Sequence, residues 1–579
     1  MALVLVACSE KEEPQVELAL EEEKIERSLL LHPIAEGQSY DKAVYDIVVR
    51  EDPEVDGWES EVFSEFAMKQ LKKLGSALKG DQFPEDVFSE SREETWKANE
   101  SEKIVRRVVG AIVTRGGRVA EEHLAHFAKG GEDSRFKFKI SDVKMAEDGA
   151  ETLVLVQYVY GLDSKLRKQV NATWRCYWTK EELARIRRIE VLADEVVESE
   201  SRFIDCTAEA LSDQKLIDDQ FRHGRNHWYR KLEGALGVEG RGNGIAIGDV
   251  NNDGLEDLYI CQSAALPNRL LLRQQDGSLR DVSARSGVDW LDSTRAALFV
   301  DIDNDGDQDL VISQSTRVIV HENAGNGKFP VRATLSSKSL LFSLNAVDYD
   351  NDGDLDLFVC GYSGAQQISP QDVFASPMPY HDANNGAPNA LLSNEGGWMF
   401  RDVTSEAGLA QNNLRFSLAS VWEDYDNDGD QDLYVANDFG RNNLFRNDNG
   451  KFVEASAEAG VEDIGPGMSA SWGDVNNDGL VDLYVSNMFS SAGSRITRQS
   501  QFNKGMSDVD LEGFQRHARG NSLFINQGDG TFLDEAESSA TVMGRWAWGS
   551  LFVDLNNDGW KDLYVTNGFV TADQLEDDL

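Results

Sequence analysis

Six short stretches of this 579-residue chain crowd carboxylates into a turn and then run straight into a strand. They read DVNNDGLEDLYI from residue 249, DIDNDGDQDLVI from 301, DYDNDGDLDLFV from 348, DYDNDGDQDLYV from 424, DVNNDGLVDLYV from 474 and DLNNDGWKDLYV from 554. All fit D-x-[DN]-x-D-G-x-x-D-L-x-[IV], and oxygen coordination accounts for most of that spacing. Calcium takes about six to eight hard oxygen ligands at roughly 2.3–2.6 Å, with side chains at loop positions one, three and five and a backbone carbonyl at seven. Glycine at position six permits the sharp reversal. In the order one, three, five, seven (through its carbonyl) and nine, the first loop offers Asp249, Asn251, Asp253, Leu255 and Asp257, and the second Asp301, Asp303, Asp305, Asp307 and Asp309. The third offers Asp348, Asp350, Asp352, Asp354 and Asp356, and the fourth Asp424, Asp426, Asp428, Asp430 and Asp432. The fifth offers Asp474, Asn476, Asp478, Leu480 and Asp482, and the sixth Asp554, Asn556, Asp558, Trp560 and Asp562.

Asp, Asn and Gly are ordinary turn formers, and one such stretch alone could be no more than a hairpin turn. A turn, however, needs neither an acid at position nine nor three or four carboxylates aimed inward, whose mutual repulsion is costly without a cation. The expected cofactor is Ca2+, about six ions, one per loop; magnesium is disfavoured because it gives up its waters reluctantly. A helical EF-hand would place a bidentate Glu at position twelve. Here that position is Ile260, Ile312, Val359, Val435, Val485 or Val565, with Leu two residues earlier, so each loop feeds a buried β-strand.

A second signature lies between the loops: NRLLLRQQDGSLRDVSARSGV from 268, NALLSNEGGWMFRDVTSEAGL from 389, NLFRNDNGKFVEASAEAGV from 443, NSLFINQGDGTFLDEAESSA from 521 and a shortened HENAGNGKF from 321. Each reads as a strand, a Gly-rich turn and a second strand ending near a small helical or looped step. Strand, loop and strand at a period near 50 is the pattern of propeller blades. The two signatures together resemble the FG-GAP or VCBS repeat, the calcium-loop blade also found in integrin α-subunit heads. The wording FRDVTSEAGL followed by WEDYDNDGDQDLYVAN is most similar to bacterial relatives of cartilage acidic protein. The resemblance implies a mostly β fold, a β-propeller of six or seven blades over residues 215–579.

Two repeat intervals are long, 361–387 and 488–519, and loops of that length are usually functional or mobile. The second carries Arg495, Arg498, Lys504, Arg516, His517 and Arg519 with Phe502 and Phe514 interleaved, in an otherwise acidic chain. Those charges read either as solvated loop residues or as a partner or glycan contact on one propeller face.

The first third has no such repeat. WESEVFSEFAMKQLKKLGSAL from 58 has helical periodicity, and alternation follows in RFKFKI near 135, ETLVLVQYVYG from 151, QVNATWRCYW from 169 and ARIRRIEVL from 184. Val170, Ala172, Trp174, Cys176 and Trp178 share one face. Residues 31–200 are expected to form a smaller α+β domain with a weak resemblance to NTF2-like folds, a packing domain or one with a small-ligand pocket, bounded near 194–213. At the front, ALVLVAC resembles the bacterial lipobox, which implies a signal remnant at 1–8, lipidation of Cys8 and an acidic tether at 9–30.

With 102 Asp plus Glu against 57 Lys plus Arg, the formal charge of -45 excludes nucleic acid and anionic lipid surfaces as partners, leaving membrane contact only through a lipid anchor. At 41% hydrophobic the chain is too apolar for a disordered polyanion. Its few cysteines define no disulfide framework, and Cys261 and Cys360 take the same strand position in different blades, as core residues do. Catalysis finds one candidate cluster, His223, Arg225, His227 and Tyr229, which could supply base and acid in a calcium-dependent polysaccharide lyase or another carbohydrate-active propeller enzyme. The favoured expectation is a noncatalytic, extracytoplasmic calcium-binding propeller for adhesion or protein or glycan interaction at the cell envelope.

Overall fold

The computed structural model describes residues 58–79, 87, 96–98, 104–108, 111–115, 134–161, 167–179, 184–199, 206–211, 213–222, 228, 244–364, 377–502 and 504–568. Cys8, the stretch 9–30 and the cluster His223, Arg225, His227 and Tyr229 lie outside them. The chain separates into two compact units, divided between residues 201 and 202.

The first unit is α+β. Helix α1, Glu59–Lys79, carries its apolar positions Ala67, Leu71 and Leu74 on one fully buried stripe. The sheet contains β1 (Trp96–Ala98), β2 (Ile104–Val108), β3 (Ala111–Arg115), β4 (Ser134–Ala146), β5 (Gly149–Tyr160), β6 (Arg167–Thr179) and β7 (Ile186–Ser199). Its order is β2-β3-β7-β6-β5-β4, antiparallel throughout that path, with β1 added parallel to β7. The alternation in β6 sends Val170, Ala172, Trp174, Cys176 and Trp178 into the core, and Trp178 Nε1 donates to Thr152 Oγ1 at 2.9 Å. Large aromatics fill that face: Trp174, Trp178 and Tyr158 are among the largest fully buried side chains of the molecule.

In the second unit six antiparallel sheets follow one another along the chain, five of four strands and a last one of two among the described residues. The fourth is typical: Ser417–Glu423, Asp432–Asn437, Asn443–Asn447 and Phe452–Glu454 pair in that order. The first strands of successive sheets lie side by side, which is the propeller arrangement with each sheet a blade. Each boundary between neighbouring blades has its own apolar cluster, five in all. Cys261 and Cys360 lie in two of these clusters as buried free thiols. The shortened signature at 321 still makes two strands, Arg317–His321 and Val331–Ser336. In three blades the step after the fourth strand is a one-turn helix closed by a glycine with left-handed φ, Gly287, Gly408 or Gly460.

Every acidic loop joins the first strand of a blade to the second. The long insertions join the second strand to the third, so loops and insertions occupy opposite ends of the blades. The sixth blade, Ala547–Val553 and Asp562–Asn567, leaves Leu551 and Tyr564 exposed, whereas Tyr259, Tyr434 and Tyr484 at the matching position of other blades are buried.

Candidate metal loops

The loops are held by their own backbone. At position one both carboxylate oxygens accept main-chain N–H groups, as Asp301 does from Asp305 N at 3.1 Å and Gly306 N at 3.0 Å; Asp249, Asp348, Asp424, Asp474 and Asp554 repeat the pair. At position five Oδ1 accepts the N–H of position seven at 2.9 Å in all six loops, from Asp253, Asp305, Asp352, Asp428, Asp478 and Asp558. These contacts wrap the chain around the side chains of positions one, three and nine. The wrap needs two residues in the left-handed region: Gly306 has φ +94, and Asn304 two residues earlier has φ 59.

Position nine ties the loop to the blade. Asp432 is fully buried; its Oδ2 accepts from Tyr425 N at 3.1 Å and its Oδ1 from Asn447 N, on the third strand, at 2.7 Å. Asp257, Asp309, Asp356 and Asp482 make the same two contacts. In the sixth loop Asp562 accepts only from Leu555 N among the described residues, because no third strand is described there.

In the second, third and fourth loops, oxygens of positions one, three and nine (Asp301, Asp303 and Asp309; Asp348, Asp350 and Asp356; Asp424, Asp426 and Asp432) lie within 4.8 Å of one another. Two oxygens sharing one calcium at roughly 2.3–2.6 Å can be no more than about 5 Å apart, so the spacing fits that ion. Asn251, Asn476 and Asn556 fill position three in the other loops, and each turns its Oδ1 to the N–H of position five.

Burial, and then neighbouring acids, push the clustered carboxyls up: Asp309 to about 6, Asp356 to about 7 and Asp432 to about 8. Asp257 and Asp482 are raised for the same first reason, and so are Asp303, Asp350 and Asp426 at position three. An acid in that state favours a bound cation or a proton over bare ionisation. At position seven the side chains of Asp307, Asp354 and Asp430 turn away to neighbouring loops, so Leu255, Asp307, Asp354, Asp430, Leu480 and Trp560 have only main-chain carbonyls to offer an ion.

Those neighbouring contacts come from position four, which the one-three-five-nine reading passes over although it is Asn in every copy. Asn252, Asn304 and Asn351 each reach the following loop. A second asparagine, at the end of the third strand or, for Asn323, two residues past it, also crosses the boundary: Asn323, Asn394, Asn447 and Asn526 donate to the position-two carbonyls of Val250, Ile302, Tyr349 and Tyr425 in the preceding blade at 2.8–3.0 Å.

At the other end of the blades, the charges of the second insertion turn inward. Arg516 pairs with the buried Asp463 at 2.9 Å and Arg519 with Asp534 at 2.5 Å, while His517 is buried with Nδ1 3.0 Å from Ile464 O. Phe514 packs on Phe502 and on His381 from the first insertion, and Tyr380 stands edge-on to His517 and Phe439. The two insertions therefore meet over the fourth blade. For Arg516, His517 and Arg519 the reading as solvated or partner-facing charge is replaced by internal pairing.

Residues 249–312, 301–359, 424–485 and 508–565 match the FG-GAP-like repeat, and all six acidic loops fall within these ranges. Cartilage acidic protein 1 of Xenopus tropicalis is 30% identical over 125 residues, 20% of this chain and 19% of that protein, so the chain spans about a fifth of that relative's length. Among solved structures, the V. cholerae biofilm matrix protein Bap1 is similar at 14% identity over 51% of this chain and 39% of its own, with a TM-score of 0.28. The periplasmic gluconolactonase of Pseudomonas aeruginosa is similar at 11% identity over 69% and 95%, with a TM-score of 0.30; at these scores neither likeness bears on function. The second half of the chain carries FG-GAP-like repeats, arranged as the blades of a propeller.

Proposed function

We propose that this chain is a noncatalytic interaction propeller stiffened by about six Ca2+ ions, working outside the cytoplasm and presenting the insertion end of its blades to a protein or glycan partner at the cell surface. The observation that carries the reading is the set of buried position-nine acids gathered with positions one and three within 4.8 Å. Positions one, three, five and nine would hold each ion through side chains and position seven through its carbonyl. The ion supplies positive charge that lets buried carboxylates ionise, and it ties each loop to the strand that follows.

FG-GAP-like repeats are typical of extracellular proteins, where calcium modules work at roughly 10⁻⁴–10⁻³ M affinity. Among the described residues no helix is long and apolar enough to cross a membrane, and attachment through lipidated Cys8 is part of the proposal. Where the insertions meet, Met378, Tyr380 and Val509 are exposed at 62%, 50% and 71%, a set of apolar side chains suited to contact.

The test is retention of the purified chain on envelope preparations in millimolar CaCl2 and in EDTA, with a Met378→Ala/Tyr380→Ala variant alongside. Retention that needs calcium and is lost in the variant supports the reading. Retention indifferent to both, or turnover of an envelope polysaccharide, contradicts it.

A further inference from the structure

The position-four asparagines have a directional pattern. Asn252 Nδ2 donates to Asp307 Oδ1 at 2.6 Å, Asn304 Nδ2 to Asp354 Oδ1 at 2.8 Å, and Asn351 Nδ2 to Asp430 Oδ1 at 2.9 Å. In each case position four of one loop grips position seven of the next. Position four sits between two side-chain ligands, at three and five, and position seven supplies the carbonyl ligand. Whatever orders one of these residues therefore orders a ligand in two loops.

The last contact of the series is the most enclosed. Asp430 is buried, and its Oδ2 also accepts from Asn449 N at 2.6 Å, so its carboxylate is held from two sides. The series then breaks. Position seven of the fifth loop is Leu480, which offers Asn427 no carboxylate, and no hydrogen bond from the Asn427 side chain crosses to that loop among the described residues. At the next boundary Asn477 Nδ2 reaches only the Gly559 carbonyl, at 3.4 Å. Asn526 of the fifth blade crosses its boundary to Tyr425 O as Asn323, Asn394 and Asn447 cross theirs, so blade packing alone does not produce the break.

We propose that Asn252, Asn304 and Asn351 are positioning residues that couple adjacent metal loops, so that the loops at 249–257, 301–309, 348–356 and 424–432 take up divalent cations as one cooperative block while those at 474–482 and 554–562 fill independently. The proposal rests on the calcium reading above. An ion in one loop fixes position seven; that holds the carboxylate which orients the asparagine of the preceding loop, and the cost of ordering that loop falls before its own ion arrives. Linkage makes the effect reciprocal. A single hydrogen bond of this kind is worth roughly a three- to tenfold change in affinity.

The experiment is calorimetric titration of the whole chain with CaCl2, comparing the unaltered protein, an Asn304→Gly/Asn351→Gly variant and an Asn427→Gly control. Glycine keeps the left-handed backbone and removes only the side chain. The unaltered protein and the control are expected to show a phase with a Hill coefficient above one and a separate non-cooperative phase. In the double variant, which keeps only the Asn252–Asp307 link, the Hill coefficient of the cooperative phase should fall and that phase should weaken about three- to tenfold, with the other phase unmoved. Asn304→Asp, which tolerates the same backbone but sets a carboxylate against Asp354, should split the block between its second and third loops and lower the Hill coefficient even if the double variant does not fold. Calcium uptake with the same Hill coefficient in all variants overturns the coupling and leaves the calcium reading standing. No uptake by the unaltered protein overturns both.

Discussion

Two buried aspartates at opposite ends of the blades show how the molecule treats negative charge. Asp463 and Asp432 are both sequestered from water. Burial raises Asp463, but the Arg516 guanidinium, Ser522, the Gly465 N–H and Asn487 outweigh it, and its carboxyl sits below the ordinary range. Burial, only partly offset by two backbone donors and reinforced by Asp426 and Asp428, pushes Asp432 up to about 8. The insertion end carries its own counter-charge. At the loop end no cationic side chain forms an ion pair with the clustered acids among the described residues, Arg446 acting on Asp426 only through space, and those acids favour a cation or a proton over bare ionisation.

The comparison is most sharply broken by removing the internal cation. Arg516→Met leaves Asp463 ionised and unpaired in the interior, and denaturant unfolding is expected to show a loss of about 3–5 kcal/mol, the same in EDTA as in calcium. A loss that calcium restores would mean the two ends are not separate electrostatic systems.

A smaller change at the loop end should reverse sign with metal. Asp303, Asp350 and Asp426 occupy the position where other loops carry Asn251, Asn476 and Asn556, so Asp→Asn there keeps the loop geometry. In EDTA the triple variant Asp303→Asn/Asp350→Asn/Asp426→Asn should be more stable than the parent by a few tenths to about 1 kcal/mol, because repulsion is relieved. In calcium it should bind about three- to tenfold more weakly at those loops, read by titration. Destabilisation under both conditions would mean those carboxylates serve packing alone.

What could be read in the amino-acid order follows from how local each feature is. The candidate ligand positions lie within nine neighbouring residues, the glycine at six among them, and the alternation of Val170 to Trp178 is a property of one strand, so both are visible without a partner. The strands β1 to β3 are short and carry no comparable alternation, so the amino-acid order does not announce them. The fate of Arg516 and Arg519 depends on Asp463 and Asp534, which reach them only through the fold, so a basic insertion in an acidic chain looked like exposed charge. Position four was legible in part: Asn recurs in every loop, and Asp stands at position seven of the second, third and fourth. That one grips the other across a blade boundary becomes visible only when adjacent loops are placed side by side.

The most direct measurement is thermal unfolding in EDTA and in millimolar CaCl2 from pH 5 to pH 8. The carboxyls of Asp309, Asp356 and Asp432 stand at about 6, 7 and 8 in the folded chain, above the ordinary value of 3.8, so the metal-free native state holds more protons than the unfolded one across this range. Its stability must therefore fall as pH rises. Calcium binds the ionised form and adds about 0.4–1.4 kcal/mol per loop at one to ten times its dissociation constant, so the gap between the two melting curves should widen from pH 5 to pH 8. Superimposed curves at every pH would contradict the claim that these loops are built around a divalent cation.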